Sequence, residues 1–195
     1  MASGRRKRAH TSSSSSATAA GADFVLVVGM GGTIDKDYPR TTHGYAFEID
    51  EPAATRVLSG LPFLAVTHTI LSVCKKDSTE IDDSDRERLV SAVRRSEALR
   101  IVVTHGTDTM IDTAKHLQAS GAAAGKAVAF TGAMKPERFK DSDASFNLGS
   151  AVGVTSLLSP GSVVVCMGGN VIPAEACTRD TESGHFVRQS AVQAS

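Results

Sequence analysis

The sequence predicts a three-layer α/β domain in which a mainly parallel sheet carries helices on both faces. Apolar runs of strand length alternate with segments of helical periodicity from Phe24 onward, and such alternation is typical of parallel sheets covered by helices. The 195 residues are 41% hydrophobic and 22% charged, which suffices for one well-buried core. We therefore expect a single domain over residues 23–175.

The predicted strands and helices follow one another in strict alternation. The apolar or β-branched runs predict buried strands at 24–28, 64–73, 100–104, 127–131 and 162–167. Between them we expect helices near 52–59, after the capping residues Asp82, Asp83 and Ser84, at 109–120 and at 146–158. The second helix is supported by Leu89, Val90 and Val93, which recur at helical spacing.

Both ends of the chain differ in composition from this domain. Residues 1–22 combine the basic cluster at 5–8 with a serine run at 12–16, so we expect a disordered leader that lacks enough apolar surface to fold. A solvated tail, a nuclear-localisation patch and an organellar transit peptide remain open for it. Residues 176–195 are predicted to be a polar C-terminal tail.

Charge and cysteine content exclude several classes of protein. Without the four cations of the leader the chain has 17 basic and 21 acidic residues, so we expect no nucleic-acid binding by the domain. No apolar run has the length of a membrane span. Cys74, Cys166 and Cys177 are widely spaced, which favours buried thiols in a reducing, cytoplasmic compartment over a disulfide framework.

Metal and cofactor sites have little support. The six histidines show no ligand spacing, and we expect no metal and no cofactor. The turn at 29–32 lacks the third glycine of a dinucleotide fingerprint, although Glu48 lies near the distance expected of a ribose-binding acid. A nucleotide-binding protein therefore remains a third and weaker alternative.

The candidate site lies where the strands end, because ligands of parallel α/β sheets bind beyond the carboxyl ends of the strands. A glycine turn after the first strand presents the Thr33 hydroxyl, and Thr107 and Asp108 follow the strand at 100–104. Helix capping by Thr107 or Asp108 is the structural alternative. For His105 we expect a hydrogen bond that shapes the loop, with a general base as the less favoured role.

Four ordered motifs resemble the bacterial-type L-asparaginase family. They are GGTI at 31–34, THGTDTM at 104–110, FTGAMKP at 130–136 and DSDASFNL at 141–148. The resemblance implies the fold of that family's N-terminal domain over 23–175. It also implies hydrolysis of the side-chain amide of asparagine, or of a related small amide, through a threonine nucleophile.

The resemblance also implies roles for individual residues. Thr33 would be the nucleophile, Tyr45 the tyrosine of the loop beside it, and Thr107 and Asp108 the second threonine–acid pair. The substrate, an amino-acid amide, would contact Asp108 through its α-amino group and Ser78 through its α-carboxylate. The remaining contacts to substrate would come from Gly32, Thr79, Gly106 and Ala133.

Two departures from the family pattern leave alternatives open. The family places a lysine beside the threonine–acid pair, and counting without a gap from Asn147 puts that position at Leu158. Lys36, Lys135 and Lys140 are candidates to replace it in space. The chain also resembles the short, single-domain members that have no second, smaller domain. A catalytically weak or inactive amino-acid-binding module is therefore the alternative function, and a homo-oligomer is compatible with either.

Overall fold

The computed structural model describes residues 23–39 and 47–189. The predictions for the leader at 1–22 and for Tyr45 lie outside the described residues. Within those two segments, no helix combines the length and the apolar character that crossing a bilayer requires.

The described chain contains ten strands and four α-helices. The strands are β1 (Phe24–Gly31), β2 (Lys36–Asp37), β3 (Glu48–Ile49), β4 (Thr67–Lys76), β5 (Arg100–Thr104), β6 (Ala127–Thr131), β7 (Val163–Met167), β8 (Asn170–Pro173), β9 (Cys177–Arg179) and β10 (Phe186–Arg188). The helices are α1 (Ala53–Ser59), α2 (Asp83–Arg95), α3 (Met110–Ala119) and α4 (Ala144–Val154). Short 3-10 turns occupy Thr33–Asp35, Ser78–Glu80 and Ala174–Ala176.

Six strands form the main sheet in the order β4-β1-β5-β6-β7-β8. The first five run parallel, and β8 pairs antiparallel with β7. Gly29 pairs with Thr104, and Thr104 pairs with Thr131. The carboxyl ends of β1, β5 and β6 are therefore level, and the loops that follow them share one edge of the sheet.

Successive side chains of β1 point to opposite faces of the sheet, so the apolar ones contribute to two separate cores. Leu26 and Val28 join the residues of α2 and α3 on one face, whereas Val25 and Val27 join those of α1 and α4 on the other. Successive residues of a strand point to opposite faces, so an unbroken apolar run fits a strand that is covered on both sides. The predicted three-layer α/β fold is confirmed.

Element boundaries differ from the prediction at two places. Strand β4 is shifted from 64–73 to 67–76 because its pairing with β1 continues past a bulge as far as Gly31 and Lys76. Helix α4 begins at Ala144 and ends at Val154, earlier than the predicted 146–158. Apolar and polar residues are not separated onto two faces of this helix, so the sequence shows no helical periodicity from which its ends could be predicted.

The segment predicted as a polar tail contains folded structure. Strands β9 and β10 form an antiparallel pair within 176–195, and Cys177 and Phe186 are buried in the same core as α3. Two apolar residues nine positions apart give no periodic signal, so the sequence did not reveal this hairpin. It brings Arg179 to the site described next.

Candidate active site at the carboxyl ends of the strands

The loops after β1 and β5 touch through two glycines. A β-carbon placed on Gly32 would lie 2.2 Å from the Cα atom of Gly106, and Gly32 has φ +86°. Thr33 and Thr107 each follow one of these glycines. The contact therefore places the loop that carries Thr33 directly against the loop that carries Thr107.

Ser78 joins the same point from the loop after β4. A β-carbon on Gly106 would lie 2.6 Å from Ser78 Cβ. The Asp108 backbone N–H donates to Ser78 Oγ at 3.3 Å, and Thr109 Oγ1 donates to the Ser78 carbonyl oxygen at 2.6 Å. Ser78, only 2% exposed, thus ties the 3-10 turn at Ser78–Glu80 to the loop after β5.

The loop after β6 completes the arrangement. A β-carbon on Gly132 would lie 2.4 Å from the His105 carbonyl oxygen, so this loop also packs against the one after β5. The side chain of Ala133 is buried with Ile34, Ala53 and Ala144. Only the backbone of Ala133 is therefore left to line the site, because its methyl group packs in the same buried cluster as Ile34, the residue after Thr33.

Helix capping does not account for the polar residues after β5. Helix α3 begins at Met110, with Thr109 at its N-cap position and no side-chain capping bond. The Asp108 carboxylate is 56% exposed, Thr107 is 9% exposed and Thr33 is half-buried. Asp108 and Thr33 are thus accessible to solvent, beside the largely buried Thr107.

Arg179, which belongs to none of the four sequence motifs, contacts the candidate site. Its Nη1 atom lies 3.1 Å from Asp108 Oδ1. The guanidinium is fixed by a hydrogen bond from Nε to the Gly184 carbonyl oxygen at 3.1 Å, and it lies 5.6 Å from the centre of the Phe186 ring. A cation therefore lies beside the acid of the threonine–acid pair, supplied from β9 rather than from the helix after Asn147.

The position counted from Asn147 is elsewhere in the molecule. Leu158 packs into the core beneath α1 and α4 and lines a cleft with Arg100 and Ala127. Arg100 and Ala127 are the first residues of β5 and β6, so Leu158 lies at the amino ends of the strands. The ungapped count from Asn147 therefore does not lead to a position beside Thr107.

The three lysines considered as substitutes have other surroundings. Lys36 lies 3.1 Å from Asp77, Lys135 pairs with Asp141, and Lys140 is exposed. None of these ion pairs includes Asp108. The cation at the acid is Arg179, and an arginine stays protonated at any pH at which the protein is folded.

His105 has a structural role. Its ring is fully buried, and Nδ1 lies 2.8 Å from the Gly106 carbonyl oxygen. Burial lowers the pKa of His105 to about 4, so the ring is neutral at pH 7 and Nδ1 carries the proton that the carbonyl accepts. The hydrogen bond holds Gly106 against Gly32.

The remaining predicted residues, Thr79, Glu48 and Tyr45, have no described contact with Thr33, Thr107 or Asp108. The Thr79 hydroxyl donates to Asp77 Oδ1 at 3.2 Å and so belongs to the capping box of its turn. Glu48 is exposed on β3, opposite Asp37. Tyr45 lies outside the described residues, but the rings of Tyr38 and Phe47, which flank that segment, have centroids 5.1 Å apart.

Metal ligands are not grouped anywhere in the two described segments. No three His, Cys, Asp or Glu side chains there are close enough together to hold an ion. The three cysteines are free, and burial raises the pKa of each thiol, that of Cys74 to about 11. A thiolate ligand or nucleophile is therefore disfavoured at neutral pH.

A cleft borders the site on the side of β7. It is enclosed by the start of α4, the end of β7 and the β9–β10 hairpin, and its lining includes Met134, Asp143, Met167, His185 and Phe186. The Asp143 carboxylate accepts hydrogen bonds from the Met134 backbone and from Asn147 Nδ2. This acid is therefore used to hold the loop after β6.

Three solved structures with a similar fold are described as L-asparaginases. The fold is similar to the thermostable L-asparaginase from Thermococcus kodakarensis at 24% identity and a TM-score of 0.70. It is also similar to a probable cytoplasmic L-asparaginase from Campylobacter jejuni at 22% and 0.69, and to L-asparaginase I from Vibrio cholerae O1 biovar eltor at 20% and 0.69. Each comparison covers 85% of this chain and 51% of the other.

A family comparison matches nearly the whole of the described chain. No curated protein gave a significant match, but the family described as "Asparaginase, N-terminal" matches residues 24–187. The chain spans about half the length of the solved structures it resembles. This match includes β1, the turn with Thr33, the Thr107–Asp108 loop and Arg179, and the chain therefore belongs to the asparaginase family.

Proposed function

We propose that this protein hydrolyses the side-chain amide of L-asparagine or of a related small amide, with Thr33 as the nucleophile. The observation that carries the proposal is the contact between Gly32 and Gly106, which brings Thr33 to the loop of Thr107 and Asp108. A threonine hydroxyl needs a neighbouring group to accept its proton before it can attack a carbonyl carbon. Thr107 and Asp108 form a second threonine–acid pair beside Thr33. We assign this pair to the second step of the reaction, in which water is the nucleophile.

The proposed reaction has two steps. Thr33 Oγ attacks the amide carbon, the hydroxyl proton passes to the leaving nitrogen through a neighbouring acid–base group, and ammonia departs as an ester forms on Thr33. Water, oriented by Thr107, then attacks the ester carbon, and Thr33 recovers its proton as the carboxylic acid product leaves. We assign the acid–base role at Thr33 to Tyr45 on the strength of the family resemblance.

Substrate recognition is assigned to the groups that surround these threonines. Arg179 engages Asp108 Oδ1, which leaves Oδ2 for the α-amino group of the substrate. Ser78 Oγ accepts from the Asp108 N–H and keeps its own proton to donate to the α-carboxylate. Gly32, Gly106 and the backbone of Ala133 would form the floor of the site.

We propose that Arg179 supplies the positive charge that the lysine of the family supplies beside the threonine–acid pair. The Arg179 guanidinium lies 3.1 Å from the Asp108 carboxylate and would compensate the negative charge of the acid that is the proposed partner of Thr107. Arginine cannot accept or release a proton in the working pH range. The Thr107–Asp108 pair would therefore orient water without passing its proton to the cation.

The test is ammonia release from L-asparagine, L-glutamine and small amides by the purified protein and by matched threonine variants. We expect Thr33→Ala to lose on the order of 10³-fold or more in kcat, and Thr107→Ala to lose a comparable amount, since members of a catalytic unit fail together. Thr69→Ala, at an exposed position on β4, should match the wild type. Equal rates for Thr33→Ala and Thr69→Ala would reject Thr33 as the nucleophile.

A binding module is the second candidate, and one observation favours it. The cation beside Asp108 is an arginine, which cannot take part in proton transfer. A protein of this kind would bind L-asparagine or L-aspartate without turning it over. Heat of binding in titration calorimetry, together with no ammonia release, would establish this alternative, whereas ammonia release that depends on Thr33 would dismiss it.

A further inference from the structure

Asp35 is a buried acid in the turn that carries Thr33. It ends the 3-10 turn Thr33–Asp35 and is only 1% exposed. Its Oδ1 atom accepts a hydrogen bond from the Ala53 backbone N–H at 2.7 Å. Ala53 begins α1, so this bond links the turn that carries Thr33 to a helix that starts 18 positions further along the chain.

Helix α1 has no capping side chain of its own. Pro52 holds its N-cap position and makes no side-chain capping bond. The first N–H groups of a helix need acceptors from outside the helix, and a carboxylate there is favoured by the helix dipole. Asp35 supplies that acceptor from a distant segment, which makes the start of α1 depend on the Thr33 turn and the turn depend on α1.

Neighbouring contacts make this link rigid. The Asp50 N–H donates to the Asp35 carbonyl oxygen at 3.1 Å, and Ile34 is buried against Ala53, Ala133 and Ala144. A β-carbon on Gly29 would lie 2.9 Å from Pro52 Cγ. The turn and the start of α1 therefore move as one unit as long as the Asp35 bond is intact.

The Asp35 carboxyl is able to change its charge near neutral pH. Burial raises its pKa to about 7, against the lowering effects of the Ala53 N–H bond and of Arg56 in α1. The other charges near it are Glu51, which raises the pKa, and Lys75 of β4, which lowers it. Lys75 pairs with Glu51 and lies 3.8 Å from Asp50, so its charge is shared.

We propose that Asp35 is a positioning residue for Thr33, and that ionisation of its buried carboxyl loosens the attachment of the Thr33 turn to α1. The proposal rests on the proposed function, because it assigns to Asp35 the placement of the nucleophile. An ionised carboxyl loses more hydration than a protonated one when it is buried against α1, so the protonated form favours the closed turn. Thr33 should accordingly be held best below neutral pH.

The experiment compares wild type, Asp35→Asn and Asp35→Ala in ammonia release from L-asparagine between pH 5 and 9, an interval of about two pH units either side of the Asp35 pKa. We expect the wild-type kcat to fall through an inflection near pH 7 that is absent from Asp35→Asn, which keeps an acceptor but never ionises. Asp35→Ala should have a kcat lower by about tenfold or more at every pH. Asp112→Asn, an exposed acid on α3, is the control and should keep the wild-type profile.

A second measurement separates failure of this inference from failure of the proposed function. Amide hydrogen exchange at Ala53, corrected for intrinsic rates, should quicken in the wild type above pH 7 and be faster in Asp35→Ala by about tenfold. No ammonia release with this exchange pattern would reject the proposed function and retain the Asp35 link. Ammonia release with an unchanged inflection in Asp35→Asn, or equal Ala53 exchange in all variants, would overturn the inference.

Discussion

Gly32 determines how closely the two loops of the site approach each other. Its φ is +86°, and a β-carbon added to it would lie only 2.2 Å from Gly106 Cα, so there is no space for a side chain. We expect Gly32→Ala to lower the free energy of unfolding by about 3 kcal/mol or more, because the strain of a left-handed residue adds to a backbone clash. Urea denaturation measures this loss.

Gly121→Ala is the matched control for backbone conformation alone. Gly121 has φ +70° with nothing within 4 Å of an added β-carbon, so only the left-handed strain of about 1–2 kcal/mol is expected. Equal losses for Gly32→Ala and Gly121→Ala would mean that the two loops separate at little cost. The close approach of Thr33 to the Thr107 loop would then not be a fixed feature of the fold.

Asp35 should also make stability depend on pH. Its pKa is raised from 3.8 to about 7 in the folded protein, so the folded state binds more protons than the unfolded state between these values. The stabilising contribution is then fully present below pH 3.8 and is lost as pH rises through about 7. We expect Asp35→Asn, which lacks this titration, to gain melting temperature relative to the wild type as pH rises from about 4 to about 8. A constant difference over that range would contradict the burial of an ionisable Asp35.

Individual residues of the candidate site could be predicted from the sequence only where they belong to a local motif. Thr33, Thr107 and Asp108 each follow a strand within a few positions of a glycine, which sequence alone displays. Arg179 lies 71 positions after Asp108, and nothing in the local sequence connects the two. The burial of Asp35 was equally hidden, because an acid in a polar turn normally remains in solvent.

At the scale of elements, the β9–β10 hairpin contributes the cation of the site. Arg179 and Asp108 are 31% and 56% exposed, and ion pairs this exposed contribute about 1 kcal/mol or less to stability. We expect Arg179→Met to lower kcat/KM by about 100-fold while leaving the melting temperature nearly unchanged. Ammonia release and thermal unfolding of the same preparation measure both effects.

Two variants in the same region sharpen that comparison. Arg179→Lys should recover part of the activity and acquire an alkaline limb, because lysine loses its proton at high pH whereas arginine does not. Arg188→Met, at an exposed position on β10, removes a charge from the same hairpin and should leave activity unchanged. If Arg188→Met and Arg179→Met were equally impaired, the effect would belong to the hairpin and not to the Asp108 pair.

The hairpin also marks the limit of element prediction from sequence. Strands β5 and β6 agree with the predicted 100–104 and 127–131 because both faces are buried and the apolar run is unbroken. Strand β4 is exposed along much of its length, so its polar end carried no signal. β9 and β10 have three residues each, too few for a period to appear.

On the scale of the whole molecule, the fold class was the most predictable property. It depends on the alternation of strands and helices along the entire chain, which an error of a few residues at one boundary does not disturb. The location of the site followed from the same topology, since the loops after β1, β5 and β6 must share one edge. The contacts between these loops depend on glycine conformations that sequence suggests but does not specify.

Ligand binding offers a test at this scale that does not require turnover. A ligand that binds only the folded state stabilises it by about 2.7 kcal/mol at 100 times its Kd. We expect L-aspartate to raise the melting temperature of the wild type and to lose this effect in Asp108→Ala. NAD and ATP should give no shift, and a shift with either of them but not with L-aspartate would favour the nucleotide-binding alternative.

Identification of the covalent intermediate tests the central claim, that Thr33 is the nucleophile of an amidohydrolase, most directly. The purified protein would be mixed with excess L-asparagine, quenched in acid during turnover, and digested for peptide mapping by mass spectrometry. We expect an aspartyl ester on Thr33 in the wild type and none in Thr33→Ala. Turnover with the ester on Thr107 or another residue, or with no ester on any peptide, would contradict it.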